Sequence, residues 1–449
     1  MNDGSAALPE GLLAAIESRR ARVGIIGLGY VGLPLALAVT ASGFPVIGYD
    51  IDAEKITALQ TGRSYIKSIS DELISGMLRD CRFIATSEIA TMRDADIVLI
   101  CVPTPLTRHR EPDLSFVTGT AESLTPHLRK GQLIVLESST YPGTTREVLR
   151  PILERSGLAS DQDFLIAYSP EREDPSNTSF ATADIPKVVG GLTPAALKAA
   201  SVFYGAVVKE VVPVSSADTA EAVKLTENIF RSVNIALVNE LKLVYERMGI
   251  DIWEVINAAK SKPFGYMAFY PGPGLGGHCI PVDPYYLAWK AREFDIATRF
   301  IELAGEINHE APYKVVEAAA RALSDRCRKS LMGSRVLLVG IAYKKNIEDI
   351  RESPALKLWE LLEARGATVE YHDPFAAVIP ATRDHSQLKG RRSITWGTSE
   401  LRTFDLAIIS TDHDGVDYEM LVRTVPLVVD TRNATSDICP ELRGSVVRA

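Results

Sequence analysis

Val23-Gly24-Ile25-Ile26-Gly27-Leu28-Gly29-Tyr30-Val31-Gly32 decides how the first part of this chain folds. An apolar run ending in glycine reads as a buried strand. The next stretch, 33–42, reads as a helix with Pro34 in its first turn, where proline is tolerated. Gly27-x-Gly29-x-x-Gly32 therefore joins a strand to a helix. Glycines at that spacing permit a tight turn and close approach of the backbone to a pyrophosphate. The helix N-terminus supplies unpaired N–H groups and a favourable dipole. Residues 45–49 read as the second strand. It ends at Asp50, about 20 residues on, where a dinucleotide fingerprint places its acid. That carboxylate accepts from ribose hydroxyls and repels a 2′-phosphate, so NAD is expected rather than NADP. Lys55 lies just beyond, either within reach of the cofactor or on a solvated helix face.

Further apolar runs at 97–102, 133–136 and 164–167 alternate with helical segments, and 187–190 and 210–214 add strands. This β-α-β rhythm predicts a parallel, doubly wound sheet, preceded by a short amphipathic helix over 9–20. The pattern changes at Ser215. From Ala217 to Met248 there is neither proline nor glycine, and apolar residues recur at helical spacing. One helix of about eight or nine turns is expected. Gly249 ends it and Asp251 caps the next, over 252–261. Such a helix between two α/β segments suits a spine or a dimer interface, and equally a core helix. A glycine- and proline-rich stretch over 262–284 precedes a helical region over 285–328. A second, smaller α/β segment follows, with strands near 333–342, 368–371, 406–410 and 427–429 and a helix over 353–365. The expected division is an NAD-binding α/β domain over 1–214, a central helical domain over 215–328 and a C-terminal α/β domain over 329–449.

The balance of charge narrows the partners. A formal net charge of −8 argues against nonspecific nucleic-acid binding. The five cysteines are scattered, with no CxxC pair, which argues against a disulfide framework or a zinc site and favours a reducing compartment. No metal is expected. Residues 1–20 lack the order of a cleavable signal. No apolar stretch reaches the roughly 18 residues of a membrane span. A soluble, cytoplasmic protein is expected.

Two features carry candidate chemistry. Cys101, inside an apolar strand, reads as filling. Cys279 sits in Gly276-Gly277-His278-Cys279-Ile280-Pro281-Val282-Asp283, where small neighbours admit a substrate to the sulfur. A nucleophilic thiol needs local stabilisation of its thiolate, for which His278 and the loop amides are placed. Asp283 is positioned to orient a base or activate water. In Lys224-Leu225-Thr226-Glu227-Asn228, the i, i+4 pair shares a helix face and can donate to an oxyanion. Solvated helices carry the same spacing.

Taken in order, these motifs resemble the UDP-glucose/UDP-mannose dehydrogenase family over nearly the whole chain. They are GLGYVGLPLA at 27–36, CVPTP at 101–105, ESSTYPGTT at 137–145, SPERED at 169–174, AVKLTEN at 222–228, GGHCIPVD at 276–283 and GIAYKKNIEDIRESP at 340–354. The resemblance implies an N-terminal Rossmann-like NAD domain, a central long-helix dimerisation domain and a C-terminal Rossmann-like UDP-binding domain. It also implies a four-electron oxidation of a sugar C6 alcohol in two hydride transfers to NAD. Cys279 would hold the intermediate aldehyde as a thiohemiacetal and then as a thioester, which water releases as the acid. Lys224 and Asn228 match the oxyanion-stabilising pair, Asp283 and Thr140 the positions that hold or activate water, and Glu171 a general base or acid. Gly27, Gly29, Tyr30, Val31, Gly32, Asp50, Lys55 and Thr104 are the cofactor candidates. Arg172, Phe264, Gly276, Lys344 and Arg351 join Lys224 and Asn228 as substrate candidates.

One departure bears on the substrate. In UDP-glucose members Phe-Leu-Arg-Glu usually follows SPE, whereas Arg172-Glu173-Asp174-Pro175 follows Glu171 here. SPEREDP, KPFGY and YPGPGLGGHCIP are most similar to the UDP-N-acetylhexosamine branch, in particular UDP-N-acetylglucosamine 6-dehydrogenases of bacterial surface-polysaccharide pathways. Arg172 would donate to an N-acetyl carbonyl. UDP-N-acetylmannosamine and UDP-glucose are the alternative substrates. A two-electron hydroxyacid dehydrogenase needs neither Cys279 nor a second α/β domain. A noncatalytic sugar-nucleotide-binding protein would be expected to lose Cys279 or Lys224. A homodimer through the long helix is expected, without membrane or nucleic-acid partners.

Overall fold

The computed structural model describes residues 10–66, 68–107, 109–172, 182–277, 280–382 and 384–449. The chain divides into two compact units, one of Met1–Glu227 with Tyr285–Ile296, the other of Asn228–Pro284 with Ala297–Ala449.

In the first unit the apolar runs form β1 (Val23–Ile26), β2 (Val46–Tyr49), β3 (Phe83–Thr86), β4 (Ile97–Ile100), β5 (Leu133–Leu136), β6 (Leu165–Tyr168), β7 (Lys187–Gly191) and β8 (Val211–Val214). They lie in one sheet in the order β3-β2-β1-β4-β5-β6-β7-β8. Successive residues of the central strands feed opposite cores. Val23, Ile25, Ile97, Leu99, Leu133 and Val135 pack on one face, and Ile26, Val98, Ile100, Ile134 and Leu136 on the other. A sheet buried on both faces needs continuous rather than alternating apolar residues, which is why these strands read as unbroken runs. Ile26 lies opposite both Tyr49 and Ile100, so β1, β2 and β4 end together. The Gly27 loop and Asp50 therefore emerge at the same strand ends, where open α/β sheets bind ligands. The expected parallel pairing holds except at β6–β7, which runs antiparallel through Ala167↔Gly191 and Tyr168↔Gly190.

The second unit contains β9 (Arg335–Val339), β10 (Thr368–His372), β11 (Leu406–Ile409), β12 (Val428–Asp430) and β13 (Val446–Arg448). They form a parallel sheet in the order β10-β9-β11-β12-β13. Its faces divide in the same way, with Val336, Leu338 and Ile408 in one core and Leu337, Val339 and Ile409 in the other. The long helix spans Ala217–Arg247, 31 residues, and Asp251 caps the next, Ile252–Ala259, by accepting from Trp253 N. The helical region expected over 285–328 is interrupted. Helix Asp283–Ala291 gives way to a short turn closed by Asp295 at φ +57, and a new helix runs Arg299–Ala322. Among the described residues, no helix is long and apolar enough to cross a membrane.

Candidate active site

In the first unit the glycine motif builds a cradle. Gly27 has φ +92, and a Cβ on Gly32 would stand 1.8 Å from Gly27 O. Both glycines are thus required by the turn itself. Gly29 differs, since a Cβ there would meet no described atom within 4 Å. The helix Gly32–Ala41 starts with no side-chain cap; Leu33 N and Leu35 N are taken by Gly29 O and Val31 O, and Pro34 has no N–H, so an anion would be met by the turn amides up to Gly32 and by the helix dipole. Open space over Gly29 beside an uncapped helix start is the shape a pyrophosphate needs. Tyr30 and Val31 are half-buried against the core.

Asp50 is buried at the end of β2. Its Oδ2 accepts from Leu28 N at 2.9 Å and from Lys55 Nζ at 3.2 Å, and its Oδ1 from Asp52 N at 3.0 Å. Tyr65 donates to Leu28 O. The acid and Tyr65 together fix the loop that carries the motif. Thr104 lies half-buried in the segment after β4.

Glu171, beyond β6, belongs to a buried charge cluster. Lys187 Nζ lies 3.2 Å from Glu171 Oε2 and 2.5 Å from Glu137 Oε2, and Tyr204 donates to Glu137. Burial opposes the charge on Lys187, but the two carboxylates outweigh it and hold its pKa above the usual value. Glu137 is pushed up by burial, which Lys187 only partly offsets while Glu171 adds to it. One ammonium compensates one carboxylate well and two poorly, so both shifts point the same way.

Lys224, buried on the long helix, donates to the backbone O of Glu171. Arg172 is engaged with Glu227, Nη2 to Oε1 at 2.6 Å, and with Pro186 O at 2.8 Å. Thr140 is fully buried, with Oγ1 3.5 Å from Glu221 Oε1. Glu221 also accepts from Gly143 N (2.6 Å), Thr145 N (2.9 Å) and Thr145 Oγ1 (2.7 Å). Burial pushes its pKa up to about 7, against the pull of these donors.

In the second unit Asn228 is fully buried. It donates to Asp283 and accepts from Arg231. His278 and Cys279 lie outside the described residues. The stretch before them packs on the segment after β9. A Cβ on Gly276 would lie 2.5 Å from Tyr343 Cβ, and Gly277 N donates to Arg351 O at 3.3 Å. Arg351 makes a two-pronged pair with Asp349, Nε–Oδ1 2.8 Å and Nη2–Oδ2 2.6 Å. Lys344 and Phe264 are exposed. Sequence reasoning missed Glu221, the Glu137–Lys187 pair and Arg432. Arg432 Nε donates to Ser410 O at 2.9 Å, and its guanidinium comes so close to Gly272 that a Cβ there would stand 2.4 Å from Nη1.

A dinucleotide cradle at one sheet, with lysine and carboxylates beside it, defines a nucleotide-dependent dehydrogenase that has a second α/β unit. The chain belongs to the UDP-glucose/GDP-mannose dehydrogenase family. Models of that family's NAD-binding, central and UDP-binding domains match residues 21–208, 218–310 and 337–437. The second nucleotide sugar in the family's name is thus GDP-mannose, where the motif reading had UDP-mannose. The chain is 34% identical over 366 residues to the UDP-N-acetyl-D-glucosamine 6-dehydrogenase of Pseudomonas aeruginosa, covering 81% of this chain and 85% of that one. It is 32% identical over 434 residues to the NDP-N-acetyl-D-galactosaminuronic acid dehydrogenase of Ralstonia solanacearum, covering 94% and 98%. The solved structure of the UDP-D-ManNAc dehydrogenase of Pyrococcus horikoshii superposes with a TM-score of 0.83 at 30% identity, covering 92% of this chain and 96% of that one. The protein is an NAD-dependent UDP-sugar dehydrogenase, an oxidoreductase.

Proposed function

We propose that this enzyme oxidises the C6 alcohol of UDP-N-acetylglucosamine to the uronic acid, in the cytoplasm, as a precursor for surface polysaccharide. The observation that carries the reading is SPEREDP, KPFGY and YPGPGLGGHCIP in one chain, joined by the likeness to relatives named for N-acetylated sugars. UDP-N-acetylmannosamine is the second reading, because its dehydrogenases match over similar lengths.

NAD, when bound, accepts a hydride from C6 in each of the two oxidations. The chain supplies the rest. Gly29 and the uncapped start of helix Gly32–Ala41 would hold the pyrophosphate, and Asp50 would accept from the ribose. Cys279 adds to the aldehyde carbon, forming a C–S bond and a thiohemiacetal; loss of the second hydride and the hydroxyl proton makes this a thioester, which water cleaves to the acid and free thiol. Lys224 and Asn228 stabilise the developing oxyanion. Thr140 and Asp283 hold water, and Glu171 moves the proton. Lys344 and Arg351 face the nucleotide sugar, with Phe264 and Gly276 beside it. Arg172 would donate to the N-acetyl carbonyl through an N–H that its bonds to Glu227 and Pro186 do not use.

This reading divides the chain into the cofactor segment 1–214, the central segment 215–328 and the nucleotide-sugar segment 329–449. It also includes a homodimer through the long helix. Phe230, Leu237 and Val244 are each nearly half exposed. A seven-residue spacing keeps them on one helix face, which a second copy would cover. A monomeric mass in solution would sink that part.

The substrate is tested by following NADH with UDP-glucose and the three UDP-N-acetylhexosamines of gluco, galacto and manno configuration. Two NADH per UDP-N-acetylglucosamine supports the reading. Turnover of UDP-glucose alone, or of the manno sugar alone, replaces it.

A further inference from the structure

The turn after β9 that presents Lys344 is tied on both sides to one buried pair. Before Lys344, the N–H groups of Ile341 and Ala342 donate to Asp373 Oδ2 at 2.7 and 3.0 Å. After it, Asn346 N donates to His413 Nδ1 at 2.9 Å, and His413 Nε2 lies 3.0 Å from Asp373 Oδ2. Asn346 has φ +61, the left-handed region that asparagine tolerates. Asp414 fixes its side chain, accepting from Asn346 Nδ2 at 2.6 Å and donating from its own N to Asn346 Oδ1 at 3.0 Å.

A backbone N–H can only donate, so Nδ1 of His413 must be an acceptor. Nε2 then carries the proton, directed at Asp373. His413 is fully buried, so an Asn346 N–H without that acceptor could not be rescued by water without opening the turn. The charged and titratable neighbours are Asp373, His372 at the end of β10, Asp412 and Asp414 (both paired with Lys345), and Tyr418, which donates to His413 O. The Phe375 ring closes the remaining side, with centroids 5.0 Å apart.

We propose that His413 is a positioning residue for the nucleotide diphosphate: its Nδ1, by accepting from Asn346 N, holds the Lys344 turn ready. The inference rests on the second unit being the UDP site. It is tested by calorimetric titration of the full-length protein with UDP at pH 8. His413→Asn places an amide oxygen where Nδ1 accepts. His413→Phe has no acceptor.

At pH 8 His413→Asn should bind UDP within about threefold of wild type, and His413→Phe about tenfold more weakly. Wild-type UDP affinity in His413→Phe, or a loss in His413→Asn equal to that in His413→Phe, overturns the proposal and leaves the nucleotide site intact. Failure of wild type to bind UDP at pH 8 overturns the site itself and the proposal with it. Imidazole nitrogen NMR of the wild type gives an answer that does not depend on either variant folding. Nε2–H at pH 7.5 is expected, and Nδ1–H refutes the mechanism.

Discussion

Gly29→Ala and Gly32→Ala should behave in opposite ways. A Cβ on Gly32 would stand 1.8 Å from Gly27 O, so the helix start must shift by about 1 Å or more. Overpacking of that kind costs about 1–3 kcal/mol. At about 2–4 °C per kcal/mol for a unit of this size, the cofactor-free melting temperature should fall by about 2–12 °C. A Cβ on Gly29 meets nothing described within 4 Å, and Gly29 does not adopt positive φ. Its replacement by alanine should leave stability unchanged or raise it by about 0.4–1 kcal/mol through the unfolded chain. The same methyl would intrude where the pyrophosphate approaches the backbone. At about 1–3 kcal/mol, NAD binding weakens by about 5- to 150-fold. Scanning calorimetry without cofactor and isothermal titration with NAD read the two effects separately. Wild-type NAD affinity in Gly29→Ala would refute the cradle, as would a melting loss there equal to that of Gly32→Ala.

Lys187→Met leaves Glu137 and Glu171 facing each other without their cation, which should cost about 3–5 kcal/mol. Adding Glu137→Gln should recover part of it, and strict additivity in a double-mutant cycle would contradict the shared-cation arrangement. The Glu221 pKa of about 7 in the fold lies above its unfolded value. Stability from its protonated form is therefore full below about pH 4.5 and is lost as pH rises to about 7, by about 3 kcal/mol. Wild type and Glu221→Gln should diverge across that window, and parallel pH–stability curves would remove the assignment. Cys279→Ser should abolish acid formation, since a hydroxyl is a far weaker nucleophile at neutral pH. Acid yield at the wild-type level would exclude the covalent route.

The central strands were legible because burial on both faces leaves no room for polar residues in β1, β4 and β5. β3 was not, because an edge strand exposes Ile84 and breaks the run. Nor was the antiparallel β6–β7 pair, since strand direction is set by the connecting chain rather than by composition. The break after Ala291 escaped because Arg292-Glu293-Phe294-Asp295 has no glycine or proline, and Asp295 takes the left-handed turn instead. At the site, the cofactor glycines and Asp50 announced themselves by spacing. Glu221 did not, since its donors lie some 80 residues away on the Thr140–Thr145 turn, and nothing local marks a carboxylate as buried. Glu137 carried a usable signal: a charged residue directly following a fully buried strand needs a partner.

Asp50 has a consequence for redesign. The usual route to a 2′-phosphorylated cofactor replaces the acid after the second strand. Here that acid is also the acceptor for Leu28 N and the partner of Lys55. Removing it would both lift the repulsion and untie the loop that shapes the pyrophosphate cradle. Exchange of cofactor preference in this enzyme would therefore need two changes together, one to admit the extra phosphate and another to give Leu28 a new acceptor.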